Sequence, residues 1–184
     1  MSPVAPPTVV VYAHPYPDRS RANRALVEAV RVLPNVSVRT LYDRYPDFAI
    51  DVAAERDALL SAERVVWQCP LYWYSVPALL SLWFEKVLGH GWAYGTGGTA
   101  LRGKRVLWVT TTGAAASAWA PDGVHGRPFA AYVPPLEQTA RFCGMVWEPP
   151  MVLHGAHRID DDALTRWAMG YRERLASPTG DADA

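Results

Sequence analysis

The sequence predicts an α/β protein in which helices cover both faces of a parallel sheet. Short β-branched and apolar runs, such as residues 8–13, 64–69 and 105–110, alternate with segments of helical periodicity. Such alternation implies parallel strands joined by right-handed crossovers. Five strand–helix units fit a strand order of 2-1-3-4-5 better than the six-stranded dinucleotide-binding order. The expected architecture is therefore a three-layer sandwich around a five-stranded sheet.

Each element has a local signal. Ser20 and Asp51 are N-cap residues for the first two helices, and Pro77 precedes the third. The pair Pro134–Pro135 breaks or delays the fourth helix. Glycine-rich residues 89–103 form a loop. The predicted strands are residues 8–13, 36–41, 64–69, 105–110 and 145–152, and the predicted helices are 20–32, 51–60, 78–88, 128–143 and 160–175.

Composition narrows the class of protein. The 184 residues form one domain with an ordered core over about 8–176, a proline-rich N-terminal tail and a polar C-terminal tail. Because 18 basic residues balance 18 acidic ones, nothing indicates a nucleic-acid partner. We expect a cytoplasmic protein, since no segment reads as a signal peptide or a membrane span. Eight tryptophans and nine tyrosines fit either an aromatic ligand or an aromatic subunit interface.

Residues 70–77 (PLYWYSVP) are the most informative stretch. They follow a buried strand, so Tyr72, Trp73 and Tyr74 stand at its carboxyl end. In the predicted order, the ends of strands one, three and four border one crevice. The three aromatic rings either stack on a flat ligand or fill a core or dimer contact. Tyr72 is the ring that we assign to the partner subunit if the three roles divide.

The end of strand one favours a phosphate. Ser20 offers a hydroxyl, Arg21 a positive charge and Asn23 an amide at a helix N-terminus, where N–H groups and the helix dipole attract anions. His14 at the strand end can donate to the same phosphate. The alternative is that Ser20 is only an N-cap and Asn23 only a surface residue.

The end of strand four favours a planar ring. Thr111, Thr112, Gly113 and Ala114 carry little side-chain bulk, so a ring can approach their backbone closely. A phosphate at one end and a flat ring at the other match the shape of flavin mononucleotide. His125 on the following loop can give a proton to a reducing substrate; its alternative is a solvated loop histidine.

Three further patterns carry no site. Residues 95–100 (GTGGTA) have dinucleotide-fingerprint spacing but lie between a helix and a strand, in the wrong order for that motif. His154 and His157 have no third ligand in view, so we expect no metal site. Cys69 ends a buried strand and is interpreted as an inert structural thiol.

Several separated motifs together resemble the flavodoxin-like NAD(P)H:quinone oxidoreductases. The likeness is closest to the branch that includes the ancillary subunits of glutathione-regulated potassium-efflux systems, and it covers residues 9–175. The matching residues are 12–15 (YAHP) with Ser20 and Asn23, 71–77, 83–87 (WFEKV), 91–94 (GWAY), 111–113 (TTG), 45–48 (YPDF) and 50–51.

The resemblance implies a homodimeric flavoprotein that moves hydride from NAD(P)H through flavin to a quinone. Position by position, it implies that the phosphate meets Ser20, Arg21, Ala22 and Asn23, with His14 adjacent, and that the ring meets Leu71, Trp73, Tyr74, Thr111, Thr112, Gly113 and Ala114. Tyr72 is counted with these cofactor-binding residues, with the partner subunit as its alternative contact. Trp119 and His125 stand where the longer branch has a catalytic tyrosine and histidine, so a phenolic proton donor is missing. FMN is expected rather than FAD, because the longer branch's C-terminal extension is absent.

Two alternatives remain open at this point. The first is a regulatory flavoprotein that binds a membrane potassium-efflux partner and lies peripherally at the inner membrane. The second is a flavin electron carrier without a substrate pocket. The aromatic loop and His125 argue against the carrier.

Overall fold

Parallel strands form the centre of the protein in the computed structural model, which describes residues 5–178. Most of the predicted N-terminal tail and C-terminal tail lies outside these residues. The strands are β1 (Thr8–Tyr12), β2 (Val36–Thr40), β3 (Arg64–Pro70), β4 (Arg105–Thr111), β5 (Val146–Trp147) and β6 (Met151–Leu153). The helices are α1 (Arg21–Arg31), α2 (Leu41–Arg44), α3 (Val52–Leu60), α4 (Ala78–Val87), α5 (Pro134–Phe142) and α6 (Asp161–Ala176).

The sheet has the order β2-β1-β3-β4-β5, with β6 also paired to β4, and every pairing is parallel. This confirms the predicted flavodoxin-like fold and strand order. The two faces of β1 point into different cores, as alternation along a strand requires. Val9 and Val11 pack with α2, α3, α4 and α5, whereas Val10 and Tyr12 pack with α1 and α6. The result is the expected three-layer sandwich.

The predicted continuous strand over 145–152 was wrong, because the chain breaks between β5 and β6. Pro149 and Pro150 have no N–H to donate to the ladder. β5 reaches Val106 and β6 begins opposite Val109, so residues 148–150 face only two residues of β4. One extra residue in a strand is a bulge, and it resets the register of the strand beyond it.

Glu148 occupies this bulge and is 1% exposed. Its carboxylate accepts from Arg64 Nε (3.2 Å), Arg105 Nε (2.8 Å) and Arg174 Nη2 (2.7 Å). Burial acts to raise the pKa of Glu148, but the arginines outweigh it and hold that pKa below its usual value. The bulge therefore anchors the amino-terminal end of the sheet to α6.

Helix boundaries follow the predicted signals. Ser20 accepts from the Asn23 N–H and Asp51 from the Ala54 N–H, which confirms both as N-cap residues. The fourth helix is delayed by its prolines: Phe129–Tyr132 form a single 3₁₀ turn, and α5 begins at Pro134. Across residues 5–178, no helix has both the length and the apolar character to span a membrane.

Candidate functional site

The carboxyl ends of β1, β3 and β4 lie side by side at one edge of the sheet. Pro70 on β3 is in register with Thr111 on β4, and β1 pairs with β3 along its length. β6 ends beside them, because Leu153 is also in register with Thr111. A fourth loop, residues 154–160, therefore joins the three loops that the sequence predicts at the site.

Two adjoining cavities open between these loops and share Leu71 and Gly113. The helix-side cavity has a volume of about 320 Å³ and is lined by Arg19, Ser20, Arg21, Ala22, Asn23, Pro70, Leu71, Tyr72, Thr111, Gly113, Ala156 and His157. The aromatic cavity has a volume of about 220 Å³ and is lined by Leu71, Trp73, Tyr74, Thr112, Gly113, Ala114, Trp119 and His125. Every predicted site residue except His14 lines one of them. A larger hollow of about 510 Å³ against α6, which includes Met151 and Trp167, contains none of these residues.

The helix-side cavity suits an anion. Its lining holds Arg19, Arg21 and His157 and no acidic side chain. Ser20 Oγ accepts from the Asn23 N–H at 3.3 Å, which leaves the Ser20 hydroxyl proton available to a ligand. The N-terminus of α1 adds the positive end of the helix dipole.

Arg21 and Asn23 make other contacts than those the sequence suggests. The Arg21 guanidinium pairs with the Asp161 carboxylate and donates to the Ile159 carbonyl, so it ties α1 to the loop before α6. Asn23 is 2% exposed, and its Nδ2 donates to Thr111 Oγ1 at 2.8 Å. Both side chains therefore brace the cavity walls. Arg19 is left as the cavity's guanidinium without an ion-pair partner among residues 5–178.

His14 lies beside the cavity rather than on its wall. Its Nδ1 accepts from the Tyr16 N–H at 3.0 Å, and its ring meets that of Tyr72 edge-on at 6.1 Å. Burial lowers the pKa of His14, so the neutral ring carries its proton on Nε2. A donor role for that Nε2 toward a phosphate stays a prediction. Tyr72 lines the helix-side cavity, so our assignment of it to a partner subunit has no support in this arrangement.

Trp73 and Tyr74 form a strained two-residue turn. Tyr72 and Ser75 exchange both backbone hydrogen bonds, at 3.1 and 3.0 Å, and close the turn around them. Trp73 has φ 49° and Tyr74 has φ 62°, both in the left-handed region that Asn and Gly favour in such turns. Strain of this kind persists only where the surrounding structure holds it, and it clusters at functional sites. The turn leaves Trp73 93% exposed at the mouth of the aromatic cavity.

The aromatic cavity brings the two predicted catalytic side chains into contact. The rings of Trp119 and His125 stack with centroids 4.0 Å apart. Tyr74 meets His125 from the side, with its hydroxyl 3.4 Å from His125 Nδ1, and stacks on Tyr132 at 5.1 Å. His125 Nε2 is buried with no hydrogen-bond partner in the described chain. The wall is therefore a packed aromatic cluster with polar groups at its surface.

The strand-four loop presents two backbone donors to the shared part of the cavities. The Thr112 N–H donates to the Leu153 carbonyl at 2.9 Å, so it is not available to a ligand. The N–H groups of Gly113 and Ala114 have no acceptor within residues 5–178. The Thr112 hydroxyl donates to the Ala114 carbonyl at 2.8 Å and accepts from His154 Nδ1 at 3.0 Å, which fixes the loop.

His157 lines the helix-side cavity, whereas from the sequence we considered it only as a metal ligand. A Cβ atom added to Gly113 would lie 2.9 Å from the imidazole of His157. The imidazole can therefore pack against position 113 only because that residue is glycine. Two backbone bonds hold the His157 loop on the strand-four loop: Gly155 N–H to Ala114 O at 2.8 Å and Ala156 N–H to Thr112 O at 2.9 Å. The available signal was position, since His157 follows the last strand at the same edge of the sheet.

The remaining sequence predictions concern Cys69, a metal site and the glycine-rich residues 95–100. Burial raises the pKa of Cys69 to about 12, which fits an inert thiol. No group of three potential metal-ligating side chains occurs in the part of the chain that the structure describes. The glycine-rich residues 95–100 pack on His90, whose ring would lie 2.5 Å from a Cβ on Gly95.

The combined cavity fits one elongated ligand with an anionic end and a flat aromatic end. Positive charge and helix-terminal N–H groups occupy one side, and aromatic rings occupy the other. Gly113 in the middle leaves room for a ring and carries a free N–H, which a ring carbonyl or nitrogen can accept. The donor set is that expected for the phosphate and the ring of FMN.

Comparisons with known proteins show the family and the fold. A family described as having a flavodoxin-like fold matches residues 7–175. The glutathione-regulated potassium-efflux system ancillary protein KefF of Salmonella typhi is 51% identical over 167 residues, which are 91% of this chain and 94% of KefF. The general stress protein 14 of Treponema denticola, solved in complex with FMN, superposes with a TM-score of 0.86 at 36% identity, covering 92% of this chain and 98% of that one. An NADPH-quinone reductase from P. pentosaceus superposes with a TM-score of 0.84 at 28% identity, covering 94% of this chain and 99% of that one.

The fold and the shared edge of the sheet define a flavodoxin-like α/β protein. By the family match and by its identity to KefF, the chain belongs to that flavodoxin-like family.

Proposed function

We propose that the protein is an FMN-dependent NAD(P)H:quinone oxidoreductase. The observation that carries the proposal is the pair of adjoining cavities, one suited to an anion and one walled by aromatic rings, joined at Leu71 and Gly113. The solved relatives named as an FMN complex and as an NADPH-quinone reductase support it.

The residues at each end have distinct tasks in this proposal. Ser20, Arg19 and the N–H groups that begin α1 hold the phosphate. The free N–H groups of Gly113 and Ala114 bind the polar edge of the ring, and Leu71 packs against it. FMN, when bound, would supply the hydride-transfer chemistry between NAD(P)H and a quinone.

NAD(P)H and the quinone use the same place in turn. The aromatic cavity holds about 220 Å³, too little for both beside a flavin ring, and Trp73 and Tyr74 at its mouth offer stacking faces to either. His125 and Trp119 exclude water from the inner wall.

The mouth of this cavity is the place where we expect a second copy of the chain. Trp73 is 93% exposed, which is unusual for a tryptophan and typical of an interface residue. A homodimer with the site near its interface would cover it.

A second candidate is a regulatory subunit of a potassium-efflux transporter. KefF, at 51% identity, is named as an ancillary protein of such a system, which would place this chain at the inner membrane through its partner. The two candidates are compatible, because a flavoprotein can both turn over quinones and bind a transporter. The electron-carrier alternative is disfavoured by the aromatic cavity, which offers a substrate a place beside the flavin ring.

The test is to purify the protein, identify any released flavin and follow NADH and NADPH oxidation with menadione. We expect FMN and quinone-dependent oxidation. Absence of flavin binding after reconstitution would contradict the proposal. Bound FMN without nicotinamide oxidation would favour the regulatory subunit or the carrier, and co-purification with membranes that contain the transporter would separate those two.

A further inference from the structure

We infer that Tyr74 is the proton donor to the quinone and that His125 supports its hydroxyl through Nδ1. This inference rests on the proposed function and adds a catalytic residue to it. The tyrosine that the longer branch places at position 119 is a tryptophan here. The structure brings a phenol to the same cavity from a different strand end.

The Tyr74 hydroxyl lies beside His125 at the aromatic cavity. The hydroxyl oxygen lies 3.4 Å from His125 Nδ1, and Tyr74 and His125 both line the aromatic cavity. Tyr74 is 47% exposed, so a substrate in the cavity can reach its hydroxyl, whereas His125 Nε2 is buried. Nδ1 is therefore the ring nitrogen of His125 that contacts the Tyr74 hydroxyl.

The backbone holds the phenol in place at a conformational cost. The left-handed φ of 62° at Tyr74 would be relieved by glycine or asparagine, neither of which carries a phenol. Packing fixes the ring further: it stacks on Tyr132 at 5.1 Å and meets Trp119 edge-on at 6.4 Å. A strained residue held this firmly at a cavity wall indicates a functional role.

The chemistry requires one proton from the protein. Hydride transfer brings two electrons and one proton to a quinone, which leaves the second oxygen as a phenolate. That oxygen takes the Tyr74 proton as the Oη–H bond breaks. An N–H on Nδ1 of neutral His125 stabilises the Tyr74 phenolate that forms, and Tyr74 regains its proton from solvent after the product leaves. The net reaction consumes one proton from water.

The experiment compares Tyr74→Phe with Tyr132→Phe in FMN-loaded enzyme. Both variants lose one hydroxyl and keep the ring, and Tyr132 does not line the aromatic cavity. Reduced enzyme is mixed with menadione or with ferricyanide under anaerobic stopped flow. Ferricyanide accepts electrons without a proton. We expect Tyr74→Phe to slow menadione reduction about 100-fold, the low end of general acid catalysis, with ferricyanide reduction unchanged. Tyr132→Phe should change neither.

Two readouts separate this inference from structural damage. FMN affinity, measured by fluorescence quenching, should stay within about twofold in both variants. In flavin-free protein, the ¹⁵N shifts of the His125 ring should change in Tyr74→Phe and not in Tyr132→Phe. Menadione reduction within twofold of wild type in Tyr74→Phe, or an equal loss with ferricyanide, would overturn the inference alone. A wild-type enzyme that reduces no quinone would overturn the proposed function as well.

Discussion

The two ends of the site are built by different kinds of interaction. The helix-side cavity is held by hydrogen bonds between distant segments, such as Asn23 to Thr111 and Arg21 to Asp161. The aromatic cavity is held by stacked rings and a strained turn, with one long hydrogen bond between Tyr74 and His125. Hydrogen bonds fix atom positions, whereas stacked rings present flat faces to a planar ligand. In the proposed function, the first end therefore suits the phosphate of FMN, and the second suits its ring and the substrates that stack on it.

The largest expected effect is loss of the Ser20 hydroxyl. Ser20→Ala removes a donor to the phosphate, so FMN should bind about 30-fold more weakly, a loss of about 2 kcal/mol, while riboflavin, which has no phosphate, is unaffected. The N-cap is lost too, at about 1 kcal/mol of stability. Titration by flavin fluorescence measures the first and thermal unfolding the second. Equal weakening of both flavins would show that the phosphate does not bind there.

The next effect concerns the contact between Gly113 and His157. Gly113→Ala places a methyl group 2.9 Å from the His157 ring, so we expect about tenfold weaker FMN binding. The double variant Gly113→Ala/His157→Ala should recover part of that loss, because the clash is gone. His157→Ala alone should weaken FMN more than riboflavin if the imidazole faces the phosphate. Additive losses in the double variant would contradict the contact.

A smaller effect is expected at the turn formed by Trp73 and Tyr74, where one substitution should raise stability and weaken flavin binding. Trp73→Gly relieves the left-handed φ of 49° and should raise stability by about 1 kcal/mol, or a melting temperature by roughly 2–4 °C. Loss of the indole should weaken flavin binding. Phe48, with φ 65° and no part in either cavity, is the matched control: Phe48→Gly should leave flavin affinity unchanged. A drop in stability of Trp73→Gly would show that the turn is not strained.

The smallest effect is on pH dependence, and it compares one histidine at each end. Burial lowers the pKa of His14 and of His154. These two side chains therefore bind more protons in the unfolded chain than in the folded chain. Stability should therefore fall as pH drops below about 6.5, the ordinary histidine value. His14→Gln and His154→Gln should each flatten this fall in urea unfolding at pH 5.5 and 7.5. A stability that rises on acidification would contradict both shifts.

Local patterns predict much of this molecule because they act within a few residues. Ser20 caps its helix, Pro134 delays the next, and three strand ends converge as their alternation with helices requires. His125 and Trp119 come together, as the resemblance implies. These features depend on backbone preferences and on the order of elements along the chain.

What the sequence did not predict depends on contacts between distant residues. The sequence predicts that Arg21 is a phosphate ligand. In the structure its guanidinium pairs with Asp161, which lies 140 residues further along the chain. The last strand reads as continuous until Glu148 turns inward to three arginines. The residues around His157 form no local motif for a ligand site. His157 lies at the site because the chain beyond the bulge, β6, pairs with β4.

That bulge divides the last strand into two cooperative parts. β5 is fixed through Glu148 to the arginines, while β6 and the His157 loop are tied to β4 by a few backbone bonds and to α1 by an exposed ion pair. Local opening draws on the regions with fewest buried contacts. We therefore expect amides of β6 and residues 154–158 to exchange with solvent well before those of β3 and β4, so that this side of the binding site can open to admit a flavin while the sheet stays folded.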